Sequence, residues 1–77
     1  MISVTMFATV AGRSRSKRRN FEVPYGEGMT ALDIISSEFS EADAHSVMVM
    51  VNGRHVPRET VLTDGDSVAL ALVISGG

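Results

Sequence analysis

Residues 62–74 read Leu62-Thr63-Asp64-Gly65-Asp66-Ser67-Val68-Ala69-Leu70-Ala71-Leu72-Val73-Ile74. Asp64-Gly65 marks a turn, and beyond it Val68, Leu70, Leu72 and Ile74 alternate with the smaller Ala69, Ala71 and Val73. Period-two alternation is a strand signal, and apolar residues on both of its faces suggest a central strand. The rest of the chain has to supply its neighbours.

Upstream, Val47-Met48-Val49-Met50-Val51 is β-rich and too short for a buried helix. Asn52-Gly53 follows it directly, the strongest short hairpin-turn signal available, so a strand should return through Arg54 to Val56. At the other end Ile2, Val4, Met6, Ala8 and Val10 alternate with Ser3, Thr5, Phe7 and Thr9, which predicts a half-buried strand reaching Val10. Residues 11–18 break the pattern with Gly, Ser and like charges, and Phe21, Val23 and Pro24 suggest a short return strand. The opening unit is thus expected to be a hairpin with a basic, solvated and mobile tip.

Between the hairpins lies one helix. Thr30 is the expected N-cap with Asp33 three residues on, and Leu32, Ile35 and Phe39 share the face expected to be buried. About ten residues long, this helix should end near Phe39, before the polar residues 40–46. The predicted fold class is α+β, a mixed sheet of four to five strands with one helix packed across one face.

Composition narrows the function. With 77 residues the chain buries only roughly 60–65% of its unfolded surface, and a deep enclosed active site would compete with the core for few large side chains. No cysteine is present, which excludes disulfides, a thiolate metal site and a cysteine nucleophile. His45 and His55 have no second ligand nearby in sequence, so no metal site is expected. Asp64 and Asp66 fit turn hydrogen bonding, and Ser14, Ser16, Ser36, Ser37 and Ser40 read as polar surface. No catalytic residue and no bound cofactor are expected. The opening residues resemble a strand and not a leader, so the expected location is cytoplasmic.

Three stretches together resemble the MoaD/ThiS family of ubiquitin-like sulfur carriers: Met1-Ile2-Ser3-Val4-Thr5-Met6-Phe7-Ala8, Val51-Asn52-Gly53, and Leu62-Thr63-Asp64-Gly65-Asp66-Ser67-Val68 running out to Gly76-Gly77. The resemblance implies a β-grasp fold, with the first and last strands parallel neighbours. Its domain would span residues 1–74, and residues 75–77 would form an exposed, flexible tail.

It also implies a carrier, not an enzyme. Gly77 would be adenylated by an enzyme related to ubiquitin activators, at the expense of ATP, and converted to a thiocarboxylate with sulfur from a donor protein. Gly76 and Ser75 would be needed for the tail to enter a partner's active site, and a synthase subunit would accept the sulfur. The opening stretch leans toward MoaD and hence molybdopterin synthesis, for a molybdenum or tungsten cofactor. Val73-Ile74 before Ser75-Gly76-Gly77 is closer to the thiamin-type ThiS. The glycines suit this chemistry sterically, since a backbone without Cβ can thread a narrow channel and leaves the reacting carbonyl uncrowded.

Other expectations complete the reading. If the helix covers the side bearing Val4, Met6, Leu70 and Leu72, the opposite face presents Phe7, Ala69, Ala71, Val73, Met48 and Met50 as an apolar patch for partners. Five of the seven basic residues, Arg13, Arg15, Lys17, Arg18 and Arg19, fall within seven positions. Such a cluster could steer an acidic partner or touch RNA phosphates, as in the related TGS module, although net charge is −2 and no aromatic is interleaved for base stacking. Protein conjugation through Gly77 shares the activation step and differs only in its nucleophile.

Overall fold

The computed structural model describes residues 1–72. Strand β1 (Ile2–Met6) is followed by a helical turn α1 (Ala8–Ala11), β2 (Asn20–Val23), the main helix α2 (Ala31–Glu38) and a second single turn α3 (Glu41–Ala44). Then come β3 (Val47–Val51), β4 (Arg54–Val56) and β5 (Ser67–Leu72). The five strands form one mixed sheet in the order β2-β1-β5-β3-β4.

β5 is central, as its two apolar faces require. It pairs parallel with β1, Val4 opposite Val68 and Met6 opposite Leu70, and antiparallel with β3, Val49 opposite Leu70 and Val47 opposite Leu72. The first and last strands are therefore parallel neighbours, as the family resemblance implies. β3 returns into β4 through Asn52-Gly53, whose φ values of 52° and 83° are the paired positive angles of a twist-compatible hairpin turn.

One face of this sheet packs against α2. Ile2, Val4, Met6, Val68, Leu70, Val47 and Val49 from the strands meet Ala31, Ile34, Ile35 and Phe39 in one buried cluster. The expected helix face was Leu32, Ile35 and Phe39; the structure keeps Ile35 and Phe39, replaces Leu32 with Ala31 and Ile34, and leaves Leu32 half-buried. A capping box sets the start of α2: Asp33 N–H donates to Thr30 Oγ1 at 3.4 Å and Thr30 N–H to Asp33 Oδ2 at 2.9 Å. The 57–66 connection supplies further partners there, with the Thr60 and Arg58 carbonyls accepting from Ala31 and Leu32 N–H.

The strand expected to reach Val10 stops at Met6. Residues 7–11 satisfy two periodicities, because Val10 and Ala11 also follow Phe7 by three and four positions. The helical choice is stabilised by Ala11 N–H on the Phe7 carbonyl at 2.9 Å and by burial of both Val10 and Ala11. The polar residues 40–46 contain α3, begun by Ser40 accepting from Asp43 N–H at 3.3 Å. The single expected helix is thus joined by two single-turn segments.

Candidate functional site

Strand pairing assembles the sheet face opposite α2 row by row. Thr5 lies opposite Ala69, Ala69 opposite Met50 and Met50 opposite His55; in the next row Ala71 lies opposite Met48. Met48, Met50, Ala69 and Ala71, predicted from alternation alone, are thereby brought together, and all four are half-buried. The two alanines form a low floor flanked by flexible methionines, a surface able to adapt to a partner's shape. It is bordered by polar groups, including Thr5, whose hydroxyl donates to Asn20 Oδ1 at 3.1 Å.

Phe7 stands where β1 ends, 47% exposed, its N–H on the Leu70 carbonyl at 3.4 Å. It sits at the same end of the sheet as Leu72, the last described residue of β5, because β1 and β5 run parallel. Val73, Ser75, Gly76 and Gly77 lie outside the described residues. The five residues beyond Leu72 can span at most about 17 Å fully extended.

The basic loop occupies that end too. Arg13, Arg15, Lys17, Arg18 and Arg19 are all exposed, while the backbone that carries them is tied down at several points. Ser14, expected at the surface, is only 1% exposed; its hydroxyl donates to the Ala11 carbonyl at 2.8 Å and accepts from Lys17 N–H at 3.0 Å. Ser16 donates through its N–H (3.2 Å) and its hydroxyl (2.7 Å) to Glu38 Oε1, and Arg15 N–H donates to the Glu38 carbonyl at 2.8 Å. Met6 N–H closes the return onto the Arg19 carbonyl at 2.7 Å. The expected mobile tip is instead a loop strapped to the end of α2 by Glu38, itself 9% exposed. Sequence reasoning missed Glu38 because its partners lie 22 residues away.

At the opposite end, the turn of residues 63–66 is self-contained. Thr63 N–H (2.8 Å) and the Asn52 side-chain amide (2.9 Å) donate to the Asp66 carboxylate, and Gly65 adopts φ +93°. The Thr63 backbone bond first, and the Asn52 bond second, hold the Asp66 carboxyl below the usual carboxylate range, against a smaller opposing effect of burial. This accounts for Asp66 structurally; Asp64 meets the Met1 amino group. Among the described residues no three His, Asp or Glu side chains converge as metal ligands, and no helix is long and apolar enough to cross a membrane.

No match is found among curated protein sequences. Of solved structures, the crystal structure of SAMP1 from Haloferax volcanii is similar, with a TM-score of 0.69 over 99% of this chain and 98% of that one, at 19% identity; this likeness identifies the fold as β-grasp. The sequence matches the ThiS family over residues 4–77. That family consists of small ubiquitin-like proteins that act as carriers or modifiers and not as enzymes, working with activating enzymes and partner synthases. With the match running through both the strand pairing and the terminal glycines, the chain belongs to the ThiS family.

Proposed function

We propose that this protein is a sulfur carrier whose working group is the carboxylate of Gly77. The observation that carries the reading is the family match extending through Gly76-Gly77, beyond a strand held on both sides at the centre of the sheet. A carboxylate is a poor acyl electrophile, because its charge repels nucleophiles and oxide is its leaving group. Attack of a Gly77 oxygen on the α-phosphorus of ATP in the partner enzyme would release pyrophosphate and leave an acyl adenylate. The terminal sulfur of a persulfide then displaces AMP at the carbonyl carbon. A thiol cleaves the resulting S–S bond, leaving a disulfide and releasing the thiocarboxylate. This chain supplies the acyl group and its presentation; Gly76 and Ser75 give the tail a slim approach to the cleft.

Within that role, the opening Met1-Ile2-Ser3-Val4-Thr5-Met6-Phe7-Ala8 supports sulfur delivery to molybdopterin by a synthase subunit. A thiamin-type carrier is the second reading, favoured by the ThiS match itself and by Val73-Ile74 before the tail. The test is intact-mass spectrometry with C-terminal peptide mapping after incubation with ATP, a sulfur source and an extract containing the activating enzyme. Sulfur replacing oxygen at Gly77 is the expected result, and Gly77→Ala should abolish it with the fold intact. An unmodified Gly77 beside an active control carrier would overturn the reading, and covalent adducts to lysines through Gly77 would replace it with conjugation.

A further inference from the structure

The basic loop has a position, a rigidity and a charge that the carrier chemistry leaves unused. It lies beyond the C-terminal ends of the parallel strands β1 and β5. Of the loop's cations, only Arg13 has an acidic partner among the described residues, Asp43 at 3.3 Å. Arg15, Lys17, Arg18 and Arg19 form no ion pair there. Lys17 sits at φ +59°, a left-handed conformation that costs a side-chain-bearing residue about 1 kcal/mol or more. It is held by its N–H on Ser14 and by its ammonium on the Gly12 carbonyl at 2.8 Å. With Ser16 fastened to Glu38, the cations project from a fixed backbone, so less freedom is lost when they meet a partner.

The charge is also arranged along the sheet. Asp64 and Asp66 flank the turn leading into the N-terminal end of β5, whose Ser67 lies opposite Ser3. The basic loop lies past that strand's other end, where its five cations outnumber the acidic Glu38, Glu41 and Asp43 beside them and leave that end with a net positive charge. An acidic surface would therefore draw the chain in tail first.

From this we propose that residues 12–19 are a preorganised cationic docking element that seats on an acidic protein surface rimming the adenylating enzyme's cleft. The proposal rests on the carrier reading above. Because the loop follows β1 and β5 runs parallel to it, the loop lies at the sheet end from which residues 73–77 follow, and a partner that receives Gly77 would approach that end. The observations favour a protein over RNA: net charge is −2, so the remaining surface repels an extended polyanion. Phe21, the aromatic next to the loop, already has Arg18 over its ring at 4.3 Å, which occupies the face a base would stack on.

The experiment measures ATP–pyrophosphate exchange by the adenylating enzyme of the same organism, with the full chain as acyl substrate, from about 0.05 M to about 0.5 M salt. Arg15→Gln/Arg18→Gln/Arg19→Gln should raise the KM for this chain about tenfold at low salt with kcat unchanged. The difference should close as salt rises, and Arg54→Gln on β4 should change nothing. A KM equal to wild type at low salt overturns the docking role while leaving the carrier role standing, and a fall in kcat at unchanged KM overturns it in favour of a part in the chemistry. Unchanged exchange together with lost binding to a single-stranded RNA 20-mer overturns it in favour of RNA. Absence of exchange with the wild-type chain overturns the carrier reading, and this inference with it.

Discussion

Replacing Glu38 by Ala tests whether the strap organises the basic loop. The substitution removes one acceptor, Oε1, that takes two hydrogen bonds from Ser16 at 3.2 and 2.7 Å. Buried bonds to a charged acceptor contribute about 1.5–3 kcal/mol each. Ser16 is only half-buried, so its donors regain water and the pair together is worth about 1–2 kcal/mol. Loss of one buried methylene adds about 0.8 kcal/mol, and the higher helix propensity of Ala offsets about 0.4 kcal/mol. The net is about 2 kcal/mol, which for a domain this small lowers Tm by roughly 10 °C. Urea and thermal unfolding read this directly. Limited trypsin digestion reads it locally, since the loop carries five basic cleavage sites and should be cut faster in the variant at temperatures where the sheet stays folded. Glu38→Gln keeps the stem and an acceptor and should lose about half as much. A Glu38→Ala protein within about 0.5 kcal/mol of wild type, with unchanged cleavage, would refute the strap.

Three further outcomes follow from the same geometry. Gly65→Ala should cost about 1 kcal/mol in urea unfolding through backbone strain alone, because φ is +93° and an added Cβ meets nothing within 4 Å; a neutral result would mean the turn relaxes. Asp66 contributes stability above its ordinary pKa of 3.8, because its folded value is lowered, and that contribution is lost as pH falls through the folded value. Asp66→Asn should therefore be less stable than wild type at neutral pH, with urea midpoints converging on acidification; a gap independent of pH would refute the assignment. Phe7→Glu should leave unfolding unchanged, since the side chain is 47% exposed, and should weaken capture by the activating enzyme in a pull-down; undiminished capture would remove Phe7 from the docking face.

What could be read from the sequence was local or strictly periodic. Asn52-Gly53 demands positive φ at two successive positions, Thr30 and Asp33 form a reciprocal cap, and residues 67–72 alternate on both faces. Each of these signals lies within one element, and each is realised. Residues 8–11 are ambiguous in sequence because Ala8 and Val10 continue the period-two pattern while Val10 and Ala11 follow Phe7 at helical spacing, and only the burial of Val10 and Ala11 decides for the turn. α3 carried a cap, Ser40 with Asp43, but no apolar run behind it. Glu38 carries no local signal; it is buried because residues 14–16 fold over the helix end, a contact that no window of sequence contains.

On the proposed carrier reading, the same topology suits a domain that presents its terminal group to a partner's cleft. β5 is paired on both sides through Leu70, to β1 and to β3, and on the β3 side through Leu72, so the strand that precedes residues 73–77 is anchored in the centre of the sheet. The chain itself keeps Gly77 within about 17 Å of Leu72, so a partner that gripped either the Met48-Met50-Ala69-Ala71 face or the basic loop would hold that volume beside its own cleft. Confinement on that scale raises the effective concentration of a tethered group to the millimolar range. Affinity can then be set by surfaces remote from the glycines, which are left free of side chains to suit the chemistry. That division of labour predicts that substitutions on the face and in the loop change KM, whereas substitutions in the tail change kcat.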